Sequence, residues 1–494
     1  MMASNVSRDV SQDQSSVVQT RKPWYAFATV AAGRFVRFAS RVTKHGGSAL
    51  PGKVVEKIDP GFLTRTLGQL PLGVVLVSGT NGKTTTTRMV ASMLSDLGLK
   101  VFTNPTGSNF VRGVVSALLT EVTFGGKLDA DIAVLELDEA YAVHFVKQVK
   151  PRYALLLNVM RDQLDRFGEI DTTAKLLSHV AAATTGTVVL NREDPRIAAL
   201  AAKAQAGTTV RYFGLADDLR HYFPSDDDMA TTVSVEGMAG PLPSVSTPLS
   251  PLRGQLPSER GASAGTAELP ADVTLTAVGD HKATFQMDSQ DYATDVKLEG
   301  VYNLYNAAAA LAVVRAVMQD NAAASKATAA ANACAVSADE LIAAVSRVTP
   351  AFGRGEVIDV NGSPVELLLV KNPMGFRLSL ASFDPANADT MIAINDEYAD
   401  GRDMSWLWDV DFTSLHASGV AMVSGVRAWD MALRLGYDQV PVADTNTDLE
   451  QAVTAFVNAN PGTRKHIYCT YTAMLKTRAV LGRITEVRDA GVGK

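Results

Sequence analysis

The segment that most restricts this chain is Val74-Val75-Leu76-Val77, which runs without a break into Gly79-Thr80-Asn81-Gly82-Lys83-Thr84-Thr85. The first four residues have the composition of a strand buried on both faces. After the loop, Met89, Val90, Met93, Leu94 and Leu97 recur at helical spacing. Strand, glycine loop and helix in that order is what phosphate binding requires. The glycines let backbone N–H groups turn toward phosphate oxygens, and the helix N-terminus adds its dipole. Lys83 is placed to neutralise the β/γ charge, and the Thr84 hydroxyl is placed for Mg²⁺. The general phosphate-loop motif would have its first glycine at position 77, where this chain has Val77, so the loop is a shorter form.

Further buried-type strands are expected at Ile132–Leu137, Tyr153–Val159 and Thr187–Leu190, with helical stretches between them. That alternation predicts a mostly parallel α/β sheet. The pattern stops between about Leu215 and Pro270, where Asp226-Asp227-Asp228 and repeated Pro and Ser predict a low-complexity insertion. Periodicity returns near Val273. An Ala-rich helix is expected from Asn306 to Val317, continuing after a polar interruption to Val348. Past Pro350 a second α/β pattern has strands expected at Val365–Val370, Met391–Asn395, Val420–Ser424 and Ile467–Thr470.

These divisions predict a disordered tail over 1–22, a basic segment over 23–70 packed on the central domain, a central ATP-binding domain over 71–349 that contains the insertion at 215–270, and a C-terminal domain over 350–494. In the basic segment Arg34, Arg37, Arg41, Lys44, Lys53 and Lys57 are interleaved with apolar residues. Phe35 and Phe38, with Val30 and Val42 nearby, approximate a helical stripe. Two readings stay open: a helix packed on its own domain with a cationic face in solvent, or contact with an anionic membrane surface or lipid-linked substrate. No apolar run reaches the roughly 18 residues needed to span a bilayer. The expectation is a cytoplasmic protein, with peripheral association at the inner membrane face as the alternative the basic segment keeps open.

A formal charge of −6 gives no global attraction to nucleic acid, and no nucleic-acid partner is expected. The only cysteines are Cys334 and Cys469, too few for a disulfide framework or a four-cysteine zinc site, so no structural zinc is predicted. Cys334 lies in the Ala-rich stretch. Cys469 follows His466 by an odd spacing that, in a strand, puts the two on opposite faces. Neither is a good thiolate nucleophile. His144 and His281 stand alone and are read as structural.

The short phosphate loop resembles that of the Mur ligase superfamily, and further motifs match in order. They are Thr106-Gly107-Ser108-Asn109, Glu136 in Leu135-Glu136-Leu137-Asp138-Glu139, Asn158 with Asp162-Gln163-Leu164-Asp165, Asn191 with Asp194-Pro195, Asn303 with Asn306, and Gly353-Arg354-Gly355-Glu356. Within the superfamily the chain resembles the MurT family most. That likeness rests on Asp162 to Asp171, on Lys371-Asn372-Pro373-Met374-Gly375-Phe376, and on Asn395-Asp396 followed by Ala399-Asp400-Gly401-Arg402-Asp403, Ser405 and Trp406. It covers about residues 30 to 485 apart from the insertion. Gln163 stands where many superfamily members have His.

The resemblance implies an α/β fold with a Mur ligase-like central phosphate-loop domain and a C-terminal Rossmann-like α/β domain. It implies ATP held by Gly79 through Thr85, Asn303 and Arg354, and Mg²⁺ held by Thr84 and Glu136. Asn109, Asp162 and Lys371 fall on the substrate side, and Asp403 is the catalytic carboxylate. Lys371 as a solvated or ion-paired lysine is the competing reading. For Asp403 the alternatives are service to Mg²⁺ or a salt bridge with Arg402 or Arg427. Trp406 and Trp408 are read as packing of the C-terminal domain, with a partner or substrate contact as the alternative.

The implied reaction is ATP-dependent amidation of the D-glutamate α-carboxyl of lipid II. An acyl phosphate forms, and ammonia comes from a glutamine amidotransferase subunit of the GatD type. The competing functions are an amino-acid-adding Mur-type or folylpolyglutamate-type ligase and a nucleotide-binding scaffold without catalysis. The Asp400–Trp408 stretch argues against the first, and intact Lys83, Thr84, Glu136 and Arg354 argue against the second.

Overall fold

The structure is a computed structural model that describes residues 26–42, 49–104, 109–160, 170–222, 269–279, 282–298, 301–327, 336–349 and 354–487. The expected tail at 1–22, most of the insertion, Asp162 with its neighbours, Thr106 to Ser108, Cys334 and His281 lie outside the described residues.

Among the described residues fifteen strands form two sheets. The first contains β1 (Val74–Ser78), β2 (Val101–Thr103), β3 (Ile132–Glu136), β4 (Tyr153–Leu156), β5 (Thr187–Asn191), β6 (Thr209–Leu215), β7 (Val273–Gly279), β8 (Lys282–Met287) and β9 (Gln290–Asp295). Their order is β2-β3-β1-β4-β5-β6-β7-β8-β9. Pairing is parallel from β2 through β7 and antiparallel in the β7-β8-β9 meander. The second sheet contains β10 (Arg354–Val360), β11 (Ser363–Leu369), β12 (Ala388–Ala393), β13 (Met422–Ser424), β14 (Thr445–Asn446) and β15 (Arg464–Cys469), in the order β10-β11-β15-β12-β13-β14. Only the β10-β11 hairpin is antiparallel there.

Every residue of β1, β3, β4 and β5 is buried, as parallel strands covered on both faces should be. Alternate residues go to opposite layers: Val75 and Val77 join one apolar cluster, Val74 and Leu76 the other. The second sheet divides likewise, with Leu367, Ile467 and Cys469 on one face and Leu368, Ile392 and Tyr468 on the other. The Ala-rich helix begins at Val301, ahead of the expected Asn306, and ends at Ala327. Ala307 to Ala310 are all buried where it packs on the helix Lys83–Asp96 and on β6 and β7. A separate helix, Ala338–Arg347, follows, started by a capping box between Ser337 and Glu340.

The basic segment forms the helices Ala26–Val42 and Ala49–Ile58, which pack on each other and on the helix Val111–Glu121. The apolar stripe expected along the first helix does not stay together. Thr29, Val30, Gly33 and Ser40 are buried, while Phe35 and Phe38 point outward. The cause is the close approach of small residues, because Gly33 is the position that faces Leu119 and Val55.

Gly52 shows the same constraint more severely. Its N–H donates to Ser116 Oγ at 2.9 Å, and a Cβ there would stand 2.1 Å from the Arg112 carbonyl oxygen. We expect Gly52→Ala to destabilise the chain by about 1–3 kcal/mol through overpacking, measured by denaturant unfolding. An unchanged midpoint would show that the helices separate without cost.

Candidate active site at the phosphate loop

The loop leaves β1 at its carboxyl end and turns into the helix Lys83–Asp96 through two glycines with positive φ, Gly79 at 134° and Gly82 at 85°. Gly82 is doubly constrained. A Cβ there would meet Asn306 Oδ1 at 2.5 Å, so the Asn303–Asn306 turn at the start of the long helix closes directly onto the loop.

Asn158, just after β4, holds the loop from the side. Its Oδ1 accepts from the Asn81 N–H at 2.8 Å, its Nδ2 donates to the Asn81 carbonyl at 3.1 Å, and its own carbonyl accepts from the Thr80 N–H at 2.9 Å. The Thr80 hydroxyl accepts from the Met160 N–H at 3.1 Å. These bonds set loop backbone that no sheet ladder supports.

Lys83 is buried, and its Nζ donates to the carbonyls of Gly79 at 2.6 Å and Thr80 at 3.2 Å. It also lies 3.3 Å from Asp138 and 3.6 Å from Glu139. A buried ammonium needs such anionic partners. The Thr84 hydroxyl donates to Glu136 Oε1 at 2.8 Å, and both residues are buried. Glu136 is positioned by Asn104, whose side-chain amide exchanges two hydrogen bonds with the Glu136 backbone at 2.9 and 3.0 Å. A hydroxyl from the first turn of the helix Lys83–Asp96 and a carboxylate from the end of β3 are hard oxygen donors of the type Mg²⁺ takes, so the residues fit that ion. Thr85 is buried in the first turn of the same helix.

Across the loop stands the second sheet. Lys371 and Asn372 follow β11 at its carboxyl end. Lys371 Nζ donates to the Thr80 carbonyl at 3.2 Å, and Asn372 Nδ2 donates to Asn81 Oδ1 at 3.0 Å. Asn372 also caps the helix Pro373–Ser382, accepting from the Gly375 N–H at 2.8 Å. Arg354 opens β10.

The other functional segments of the second sheet also follow strands that run parallel: Asn395 to Asp403 after β12, Gly425 to Arg427 after β13, and Thr470 to Thr472 after β15. The carboxyl edges of both parallel sheets therefore carry the polar residues, where α/β sheets bind ligands.

Two aspartates in this edge have opposite environments. Asp400 is buried, and it accepts from the Thr472 N–H at 2.7 Å, from the Thr472 hydroxyl and from the Glu397 N–H at 3.0 Å. Burial pushes its pKa up, and the Thr472 bonds oppose that. Asp403 is exposed, and the Ser405 N–H donating at 2.9 Å holds its carboxyl below the usual range. Arg427, weighed as a partner for Asp403, instead pairs with Asp396 at 2.8 Å and Asp430 at 3.1 Å. Trp406 and Trp408 sit on a short 3-10 helix, Ser405–Asp409. Trp406 packs near Phe376, and Trp408 is exposed against Tyr437.

The sheet register separates the remaining candidates. Cys469 is buried in one face of the second sheet, where burial pushes its thiol far up, and His466 is on the other face, 2.9 Å from Glu366. His144 lies exposed on its helix.

The matches to known proteins agree with this arrangement. The Mur ligase middle domain family matches residues 77–239, and the family described as MurT ligase C-terminal matches residues 369–474. The lipid II isoglutaminyl synthase (glutamine-hydrolyzing) subunit MurT of Streptococcus pneumoniae is 31% identical over 92% of this chain and 97% of its own length. This chain belongs to the MurT family of Mur ligases. The protein of the same name from Staphylococcus aureus strain COL is 26% identical over 84% of this chain and 89% of its own length.

Among solved structures, MurF of Acinetobacter baumannii superposes with a TM-score of 0.60 at 17% identity, covering 86% of this chain and 79% of its own. Folylpolyglutamate synthase of Mycobacterium tuberculosis gives 0.55 at 15% identity, covering 93% and 100%. Both likenesses are of fold.

The structure thus brings Gly79 to Thr85, Glu136 and Lys371 to one loop region, sets Asn306, one turn after Asn303 on the long helix, against Gly82, keeps Asn109 beside the loop through an Asp138 N–H donated to the Asn109 carbonyl at 3.1 Å, and leaves Asp162 undescribed. Sequence reasoning gave no role to Asp138, Glu139, Asn104 or Asn372. Asn372 had a local signal, an Asn before Pro at a helix start; Asn104 had none.

We expect Gly82→Ala to lower nucleotide affinity by about tenfold or more, since it displaces Asn306 and strains the loop. Titration with a fluorescent ATP analogue checks this, and wild-type affinity would remove the loop constraint from the site.

Proposed function

We propose that this chain is the ATP-dependent ligase subunit of a lipid II isoglutaminyl synthase, converting the D-glutamate α-carboxyl of lipid II to the amide. The observation that carries the reading is the contact of Lys371 and Asn372 with the phosphate loop, within a chain similar along its length to relatives of that name. It puts the MurT-type segment of the second sheet beside the phosphate loop.

In this reading the loop from Gly79 to Thr85 cradles the ATP phosphates, Asn303 and Arg354 close over the nucleotide, and Thr84 and Glu136 hold Mg²⁺. When bound, that ion screens charge between the γ-phosphate and the attacking carboxylate. Asn109 and Asp162 face the acceptor. The substrate carboxylate oxygen attacks the γ-phosphorus, and ADP departs with the bond's electron pair. Lys83 and Lys371 stabilise the equatorial oxygens of the transferring group.

Ammonia then attacks the acyl carbon, the C–O bond to phosphate breaks, and phosphate leaves. Asp403 is the catalytic carboxylate. Its low pKa makes it a weak base, which suits it to orient ammonia by accepting a hydrogen bond and to stabilise positive charge growing on nitrogen. The surplus proton passes on to water.

Ammonia from glutamine needs a thiolate nucleophile, and the buried Cys469, with its raised pKa, is unsuited to that role. Glutamine hydrolysis is therefore assigned to a separate GatD-like amidotransferase subunit, and the site of action to the inner membrane face. Among the described residues no helix is long and apolar enough to cross a membrane.

Incubating the chain with ATP, Mg²⁺, lipid II and ammonium should give the small decrease in mass that follows exchange of hydroxyl for amino. Gain of an amino-acid mass instead would assign it to the peptide-extending ligases. Asp403→Asn should slow amidation by about a hundredfold or more while sparing nucleotide affinity. Unchanged turnover would remove Asp403 from the mechanism.

A further inference from the structure

The helix Ala26–Val42 has an outward apolar row, Ala28, Ala31, Phe35 and Phe38, that is exposed among the described residues. These positions recur at helical spacing, opposite the buried Val30 and Gly33. Phe35 is 70% exposed and Phe38 66%. Two phenyl groups one turn apart in water are a standing cost unless something covers them.

A cationic row runs beside them. Arg34 and Arg37 occupy the flank of the same helix. The Arg34 guanidinium is fixed by the carbonyls of Leu119 at 2.8 Å and Val122 at 2.5 Å, and it lies 4.8 Å from the ring centre of Phe124. Phe124 is itself 65% exposed, so the arginine row stands between apolar groups from a helix and from a loop. The adjacent helix Ala49–Ile58 repeats the composition at its exposed positions, with Leu50, Lys53, Lys57 and Ile58. Between Ala26 and Ile58 the one acidic residue is Glu56, and Arg112 pairs with it at 2.9 Å. This local positive charge stands in a chain whose formal net charge is −6.

We infer that the helices Ala26–Val42 and Ala49–Ile58 form a docking surface for an anionic lipid bilayer, with Phe35, Phe38 and Phe124 entering the headgroup boundary and Lys53 and Lys57 meeting lipid phosphates. The charge decides the occupant. A second copy of this chain would bring the same cations face to face, whereas an anionic membrane complements both rows. The inference rests on the proposed lipid-linked substrate for its purpose: a docked enzyme searches the plane in which that substrate moves.

The test is co-sedimentation of the full chain with vesicles of phosphatidylglycerol and phosphatidylcholine in equal parts, against vesicles of phosphatidylcholine alone. Binding is expected to the anionic vesicles only and to weaken with added salt. The double variant Phe35→Ser with Phe38→Ser, and separately Lys53→Glu with Lys57→Glu, should each reduce it by about tenfold or more. Both pairs are exposed, and unchanged thermal melting and ATP-analogue affinity confirm that the fold is intact.

No binding by the unaltered chain, equal binding to both vesicle types, or retention of binding by both variants would overturn the inference. So would a change in the chain's own sedimentation caused by the Phe variant without vesicles, which would make a second copy the occupant. Amidation separates this inference from the proposed function. The variants should lose rate on lipid II in vesicles and keep it on a soluble muropeptide lacking the lipid. Failure of the unaltered chain to amidate either substrate would strike the proposed function and leave vesicle binding to stand by itself.

Discussion

The arrangement depends on the backbone of Asn81. A loop that presents N–H groups to phosphate cannot use them in a sheet, and its two positive-φ glycines make it soft. Asn158 compensates by acting as both donor and acceptor toward one residue's backbone, which substitutes for a ladder partner. The Asn81 side chain is then left to reach Asn372. Because Asn372 Oδ1 also caps a helix of the second sheet's unit, pulling the two edges apart would break the Asn–Asn contact and disturb that cap. The phosphate loop and the carboxyl edge of the second sheet are coupled through an amide pair and Lys371.

Electrostatics reinforce this coupling. Lys83 is buried, and its recorded contacts include two loop carbonyls and the carboxylates of Asp138 and Glu139. An uncompensated ammonium there would cost several kcal/mol. The acids hold the lysine at the loop. Asp138 precedes the helix Glu139–Val146, so the end of β3 delivers Glu136 toward Thr84 and, two residues later, the counter-ion for Lys83. One strand end thus serves both the Thr84 hydroxyl and the Lys83 ammonium.

Much of this was legible in the sequence where local pattern determines structure. The runs at Val74, Ile132, Tyr153 and Thr187 became strands buried throughout, because parallel strands covered on both faces take apolar side chains along most of their length, with buried polar residues such as Ser78, Glu136 and Asn191 at their carboxyl ends. The short strands β2 and β14 carry too few residues for any period. The β8-β9 hairpin turns at Asp288 and Ser289, both with positive φ and without the glycine that usually marks such a turn. The Phe35 row was visible as a stripe, but its direction was not. Gly33, with no side chain to contribute to an apolar pattern, is what faces the core. The Asn81–Asn372 contact joins residues 291 positions apart, and nothing local to either residue announces the other.

The segment Asp400-Gly401-Arg402-Asp403 shows how one short motif divides its labour. By composition its two carboxylates are interchangeable. The fold buries Asp400 against Thr472 at the end of β15, where it ties the turn to the sheet edge and its ionisation is opposed by lost water. Asn395 adds to the same anchor, its N–H donating to the Thr470 hydroxyl and its Oδ1 accepting from the Val426 N–H. Gly401, with φ at 87°, then lets the chain reverse so that Asp403 emerges into solvent with Ser405 fixing it through its N–H and side chain. A carboxylate that is exposed, ionised and mounted on a buried twin is rigid in position yet open to a small nucleophile. Exchanging the two environments would bury the carboxylate that now faces solvent and leave an anchor that water would compete away.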